Sequence, residues 1–283
     1  MIVVPQRLFE LDAVTTLHRG RSCSFIGKTL EASVRERQSY ASMHVLSVVL
    51  DGSQRMRSER GSIHLKAGRT GLLRKGIYTV TDLLSEQNSF RAFLLYFDHA
   101  LLNELLKQHP LASAATTHHD FYELPTSAAF LRYIGNLETL ADGLTGTQDV
   151  LFRYKALEAL ALLLAEDASG QLLQWLHSLR NPHPGSLTAV MEQHFDKPLT
   201  MEDYAYLCGR SLSTFRRAFK QRYGLGPHQW LVQKRMEKAH ELLQGGQQTV
   251  ASVAHDVGYE SVSHFIAAFK KRFGDTPSVV VNS

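Results

Sequence analysis

Over residues 209–238 the chain carries eight basic side chains, Arg210, Arg216, Arg217, Lys220, Arg222, Lys234, Arg235 and Lys238, against the single acid Glu237. The chemistry such a cluster offers is recognition of nucleic acid. Arginine's planar fork can donate twice to guanine, and lysine and arginine both reach phosphate. Bulk composition hides the cluster. The chain of 283 residues has 31 Lys+Arg against 27 Asp+Glu, a net charge of +4 and a pI near 9.0. Residues 1–185 are balanced, with 19 basic against 18 acidic side chains, and residues 186–283 hold 12 against 9.

Catalytic chemistry has less to work with. The two cysteines, Cys23 and Cys208, lie far apart, which suits neither a disulfide framework nor a metal cluster and suggests a reducing compartment. A metal-dependent barrel enzyme would need His and carboxylate ligands converging from neighbouring strands. The strand-like segments offer His44 and His64 with no His-x-His pair, and His118-His119 falls in a loop where adjacent side chains diverge. No Ser/His/Asp or Cys/His arrangement has supporting context. The expectation is therefore no catalytic residue, no metal and no cofactor. No apolar run approaches the roughly 18 residues of a membrane span, and the N-terminus lacks a basic region ahead of its short apolar stretch. These features suggest a soluble, cytoplasmic, non-membrane protein.

The elements that position the basic cluster come from an internal repeat. Ser211 to Pro227 recurs fifty residues later as Ser261 to Pro277, with nine of seventeen positions identical. Upstream, Thr200 matches Thr249, Ala205 matches Ala254 and Gly209 matches Gly258. Each copy reads as helix, tight turn, helix. Thr200 and Thr249 are candidate N-caps of the first helix, Gly209 and Gly258 stop it, and Ser211 and Ser261 cap the second. The second helix has an apolar stripe, Leu212, Phe215, Phe219 and Tyr223, repeated as Val262, Phe265, Phe269 and Phe273. This is the helix-turn-helix arrangement.

The opposite face must then be exposed. In the first copy it carries Ser213, Arg216, Arg217 and Lys220. In the second it carries Ser263, Ile266, Ala267 and Lys270, with His264 at its edge. A helix fits the major groove and its N-terminal residues reach base edges. Lys220, Arg222, Lys270, Lys271 and Arg272 lie later in each helix, where phosphate contacts are expected. Between the copies, Pro227 to Gln244 reads as one helix of roughly 27 Å, long enough to hold two recognition helices near the ~34 Å repeat of successive major grooves.

The stretch Val253 to Pro277 resembles the signature of the AraC/XylS family of bacterial transcription regulators, with Ala254, Gly258, Ser261, Phe265, Phe269, Lys270, Phe273, Gly274 and Pro277 in their expected places. The resemblance covers about residues 186–283. It implies one seven-helix DNA-binding unit with two helix-turn-helix motifs, promoter DNA and RNA polymerase as partners, and activation rather than repression. By position, Ser213, Arg216 and Arg217 fall where members read bases in the first motif, and Ser263, Ile266 and Ala267 in the second. Ile and Ala there depart from the polar or basic readers common in the family, because an apolar side chain can meet a thymine methyl but cannot donate to guanine. The first motif is therefore expected to supply most of the discrimination.

Residues 40–97 read as short strands and turns, as in an antiparallel sandwich or barrel. From about residue 98 the pattern turns helical, with a leucine-rich helix from Asp149 to Glu166 and a shorter one from Gln171 to Leu179. This half resembles the cupin-like regulatory domain common in the family, and the arrangement is similar to members that control virulence genes, including type III secretion activators. Asn181-Pro-His-Pro-Gly185 breaks the pattern. The expected architecture is α+β. Residues 1–180 form a regulatory cupin-like β-barrel with flanking helices, 181–185 a linker, and 186–283 an all-α DNA-binding domain. The barrel could hold a small-molecule effector or bind a protein one. The leucine-rich helix could pair in a homodimer or pack on its own barrel. A cupin-type metal enzyme, or a protein-interaction module with a helical C-terminal domain, is the rival reading.

Overall fold

The computed structural model describes all residues except 112–118, 144–147, 181–184, 247 and 282–283. His118 and most of the expected linker, 181–184, lie outside the described residues. The chain divides into two compact units, Met1–Asn181 and Pro182–Ser283.

The first unit contains eleven strands among its described residues. They are β1 Ile2–Val4, β2 Val14–Arg19, β3 Cys23–Leu30, β4 Val34–Ala41, β5 His44–Asp51 and β6 Ser53–Ser58, then β7 Gly61–Lys66, β8 Arg69–Leu73, β9 Gly76–Leu83, β10 Phe90–Phe97 and β11 Phe121–Pro125. One sheet has the order β1-β4-β9-β6-β7 and the other β11-β8-β5-β10-β3-β2. Pairing is antiparallel except between β1 and β4. No ladder joins the two sheets among the described residues, and the two face each other across a shared core.

The helices are α1 His99–Gln108, α2 Ala128–Asp142, α3 Asp149–Glu166 and α4 Gln171–Ser178. The six-stranded sheet is buried on both faces. Ile26, Val45, Val49 and Leu94 share one core with Met56, Ile63 and Leu65 of the facing sheet. Phe25, Leu46, Val48, Phe93, Leu95 and Phe97 share the other with residues of all four helices, Trp175 among them. A strand covered on both sides has no need to alternate, which is why β5 and β10 read as nearly continuous apolar runs. Strand β4 shows no such apolar run, for the opposite reason. β4 is Val-Arg-Glu-Arg-Gln-Ser-Tyr-Ala, mostly exposed over its first half.

Helix α3 has the bounds its sequence suggests, but its apolar residues split between two sides. Phe152, Ala156, Ala159, Leu160 and Leu163 are buried, and Leu157 and Leu164 pack partly on the same core. Val150 and Tyr154 are 68% and 63% exposed. Packing on the chain's own sheet accounts for most of the stripe and leaves an apolar remnant at the helix start.

His44 is buried in β5 (1% exposed). Its Nδ1 accepts the Lys75 N–H at 3.0 Å, and its ring meets His99 edge-on at 4.7 Å. Burial first, then the positive charge of its neighbours, holds its pKa well below 6.5. The folded state thus resists protonation that the unfolded chain accepts. Stability is full above pH 6.5 and falls as pH drops below it, by up to about 1.4 kcal/mol per pH unit for such a group. Urea unfolding between pH 7.5 and 5 should show this slope, and His44→Phe should flatten it. An unchanged slope in the variant would remove His44 as its source. His44 and His64 sit in different sheets, and among the described residues no group of three or more His, Cys, Asp or Glu is arranged to hold a metal. Among them, too, no helix is long and apolar enough to cross a membrane.

Candidate nucleic-acid interface

The second unit contains seven helices among its described residues: α5 Leu187–His194, α6 Met201–Leu207, α7 Leu212–Tyr223, α8 Pro227–Gln244, α9 Val250–Asp256, α10 Val262–Phe273 and α11 Pro277–Val281. The two copies of the repeat are α6–turn–α7 and α9–turn–α10. Their punctuation is the same. Thr200 and Asp203 form a reciprocal capping box, and Thr249 caps α9 through the Ser252 N–H. Ser211 and Ser261 accept from the N–H groups of Thr214 and His264. In the turns, the Arg210 N–H donates to the Ala205 carbonyl and the Tyr259 N–H to the Ala254 carbonyl, each at 2.9 Å. These turns place Gly209 and Gly258 at positive φ, +64° and +82°.

The stripes bury where expected at their centres. Phe215 and Phe219 are fully buried, with Tyr223 stacked on Phe219 and Trp230 meeting it edge-on. Phe265 and Phe269 are fully buried against Met236, Ala239 and Leu243 of α8 and Val253, Ala254 and Val257 of α9 and its turn. The ends are looser. Phe273, expected in the buried stripe, is 37% exposed with its ring 4.8 Å from that of His240. Helix α8 is thus shared, giving Trp230 to the first motif and Met236, Ala239 and Leu243 to the second.

On the other face, Ser213, Arg216, Arg217, Lys220 and Arg222 are exposed on α7. On α10 the exposed residues are Ser263, His264, Ala267, Lys270, Lys271 and Arg272. Ile266 is different. It is half-buried and packs against the second motif's own core, which removes part of its side chain from the groove face. The basic cluster of residues 209–238 also separates. Lys238 Nζ binds Asp196 at 2.6 Å, Lys234 pairs with Glu237 at 3.3 Å, and Arg235 is 9% exposed. Burial pushes the Asp196 carboxyl up, but the Lys238 hydrogen bond and the Lys197 charge outweigh it and hold it below the usual range. Arg210, Arg216, Arg217, Lys220 and Arg222 stay exposed and form no ion pair among the described residues.

Spacing alone sets Arg235 apart from the exposed part of the cluster. It lies four residues from both Leu231 and Ala239, inside the buried stripe of α8. Burial also pushes the Cys208 thiol up to about 11, with Arg210 opposing weakly, so this cysteine is a packing residue.

Residues 204–283 match the family model described as a helix-turn-helix domain, and residues 44–175 match the ExsA N-terminal regulatory domain. The chain is 33% identical over 123 residues to the HTH-type transcriptional regulator ExsA of Pseudomonas aeruginosa, covering 43% of this chain and 44% of that protein. It is 34% identical over 123 residues to the virulence regulon transcriptional activator VirF of Yersinia enterocolitica, covering 43% and 45%. Each match thus spans less than half the length of the relative. A structure of ToxT from Vibrio cholerae with bound unsaturated fatty acid aligns over 93% of this chain and 96% of that one, at 14% identity and a TM-score of 0.41, too weak a likeness to transfer a ligand. The repeated motif, with its turn glycines and caps in place, thus coincides with a matched helix-turn-helix domain at residues 204–283, and residues 44–175 carry a match to the ExsA N-terminal regulatory domain.

Proposed function

We propose that residues 186–283 recognise promoter DNA through both helix-turn-helix motifs and activate transcription with RNA polymerase, under the control of residues 1–180 joined through a linker at 181–185. The observation that carries this reading is the exposed row on α7, Ser213 with Arg216, Arg217, Lys220 and Arg222, whose four cations form no ion pair among the described residues. Arg216 and Arg217 lie in its N-terminal half, where groove-inserted helices read bases. Lys220, Arg222, Lys270, Lys271 and Arg272 anchor to phosphate. On α10, Ser263 and His264 face the groove with one small donor group each, Ala267 has nothing to donate, and Ile266 offers a partial apolar edge. The first motif discriminates and the second positions. No side chain is assigned a catalytic role, and the protein works in the cytoplasm.

Arg216→Ala or Arg217→Ala should cost about 1–3 kcal/mol of specific binding and relax base preference at the matching position. Alanine at Ser263, Ile266 or Lys270 should weaken binding with less change in preference. Binding of duplexes varied one base pair at a time checks this. Equal relaxation from both motifs would overturn the division of labour. Affinity should also fall steeply with salt as counterions are released. A flat response would favour a protein-interaction module.

The exposed Val150 and Tyr154 at the start of α3 support a homodimer through this helix. Regulation by a small-molecule or protein effector on the N-terminal unit is the remaining part of the proposal. Sedimentation of a Val150→Glu, Tyr154→Glu variant tests the dimer. A dimer that survives both charges places the contact elsewhere.

A further inference from the structure

Arg235 belongs by sequence to the basic cluster, yet it faces away from solvent. Its Nε donates to the Phe195 carbonyl at 2.6 Å, Nη1 donates to the Gly258 carbonyl at 3.0 Å, and Nη2 donates to the Lys197 carbonyl. The guanidinium also lies 5.7 Å from the Tyr259 ring centre. The three carbonyls come from two places distant in sequence. Phe195 and Lys197 follow α5, on the side of the first motif, and Gly258 is the turn glycine of the second. At that turn the backbones touch closely enough that a Cβ on Gly258 would sit 2.8 Å from the Asp196 carbonyl oxygen and 2.9 Å from Lys197. Lys238, one turn further along α8, holds Asp196 from the same side. A single planar fork on the shared helix therefore ties the loop leading into the first motif to the turn that aims the second recognition helix.

We propose that Arg235 is a positioning residue that sets the register of α10 relative to α7, and with it the spacing between the two DNA half-sites the domain accepts. This rests on the DNA-binding reading above. The chemistry is specific to arginine. Its donors are fixed in one plane and can satisfy three divergent carbonyls at once, whereas an ammonium is a compact group on a flexible stem. Each added base pair moves the second half-site by about 3.4 Å and roughly a tenth of a turn. A rigid pair of helices cannot follow that displacement, and a loosened pair can.

The test uses the full chain and duplexes that the wild-type protein enriches from a random pool. Each enriched two-part sequence is then remade with one base pair inserted or deleted between its halves, and also as the first half alone. Wild-type protein should lose about a hundredfold in affinity on insertion, the equivalent of one to two lost base contacts. Arg235→Lys and Arg235→Met should bind the original spacing about tenfold more weakly and lose less than about fivefold on insertion. Both variants should bind the half-site probe as wild type does, and Arg235→Lys, which keeps the charge, should not restore the insertion penalty. The proposal is overturned if Arg235→Lys retains the full penalty. It is equally overturned if the variants lose the half-site probe as well, since that marks a role in folding the domain as a whole. If the wild-type protein enriches no two-part sequence, the DNA-binding reading itself fails, and the proposal goes with it.

Discussion

Gly258→Ala should destabilise the C-terminal unit by on the order of 3 kcal/mol and abolish tight binding of two-part sites. Two independent costs meet at this position. The backbone sits at φ +82°, in the left-handed region that charges an L side chain about 1–2 kcal/mol. The new methyl group would also lie 2.8–2.9 Å from the backbone of Asp196 and Lys197, which cannot swing aside as a side-chain tip would. Relief requires the α5–α6 loop to separate from the turn, breaking the Arg235 hydrogen bonds to Phe195 and Lys197. Gly274 is the control. It has φ +88° but nothing within 4 Å of its would-be Cβ, so Gly274→Ala should cost only the conformational part, about 1 kcal/mol. Thermal or urea unfolding of the two variants compares them directly. Equal destabilisation would mean that the close approach at Gly258 contributes nothing.

Asp82→Ala should have a similar or larger effect on the N-terminal unit, about 3–5 kcal/mol. Asp82 is fully buried between the sheets, where its carboxylate takes the ammonium of Lys28, itself 3% exposed. Gln54 Nε2 donates to the other oxygen at 2.7 Å, and Ser47 donates to Gln54 at 2.8 Å. Burial pulls the Lys28 pKa below its ordinary value, and the Asp82 charge opposes that pull. Removing the carboxylate leaves a dry ammonium and an unpartnered amide. Replacing both ends with apolar groups, Lys28→Met with Asp82→Leu, should recover part of the loss, because it removes the dry ammonium but leaves Gln54 Nε2 and Arg37 without the carboxylate. Urea midpoints would show the order single variant, double variant, wild type. A single variant within about 1 kcal/mol of wild type would show that water reaches the pair.

The sequence alone determined whatever depends on local spacing. The repeat at 211–227 and 261–277, its caps and turn glycines, and the bounds of α3 and α8 were all legible, because helix periodicity and capping act within a turn or two of chain. So was the exposed row on α7, since burying Phe215 and Phe219 leaves Arg216 and Arg217 nowhere to go but out. Strands β2 and β4 were not legible, because a polar strand acquires its partners only through distant pairing, as Ser39 does with Tyr78. Only tertiary structure divided the basic cluster into its two uses. Charge ranks Arg216 and Arg235 alike. What separates them is that carbonyls from residues 195, 197 and 258 converge on one guanidinium. Such convergence depends on how loops some 23 and 38–40 positions away fold back onto α8, and no local pattern encodes it.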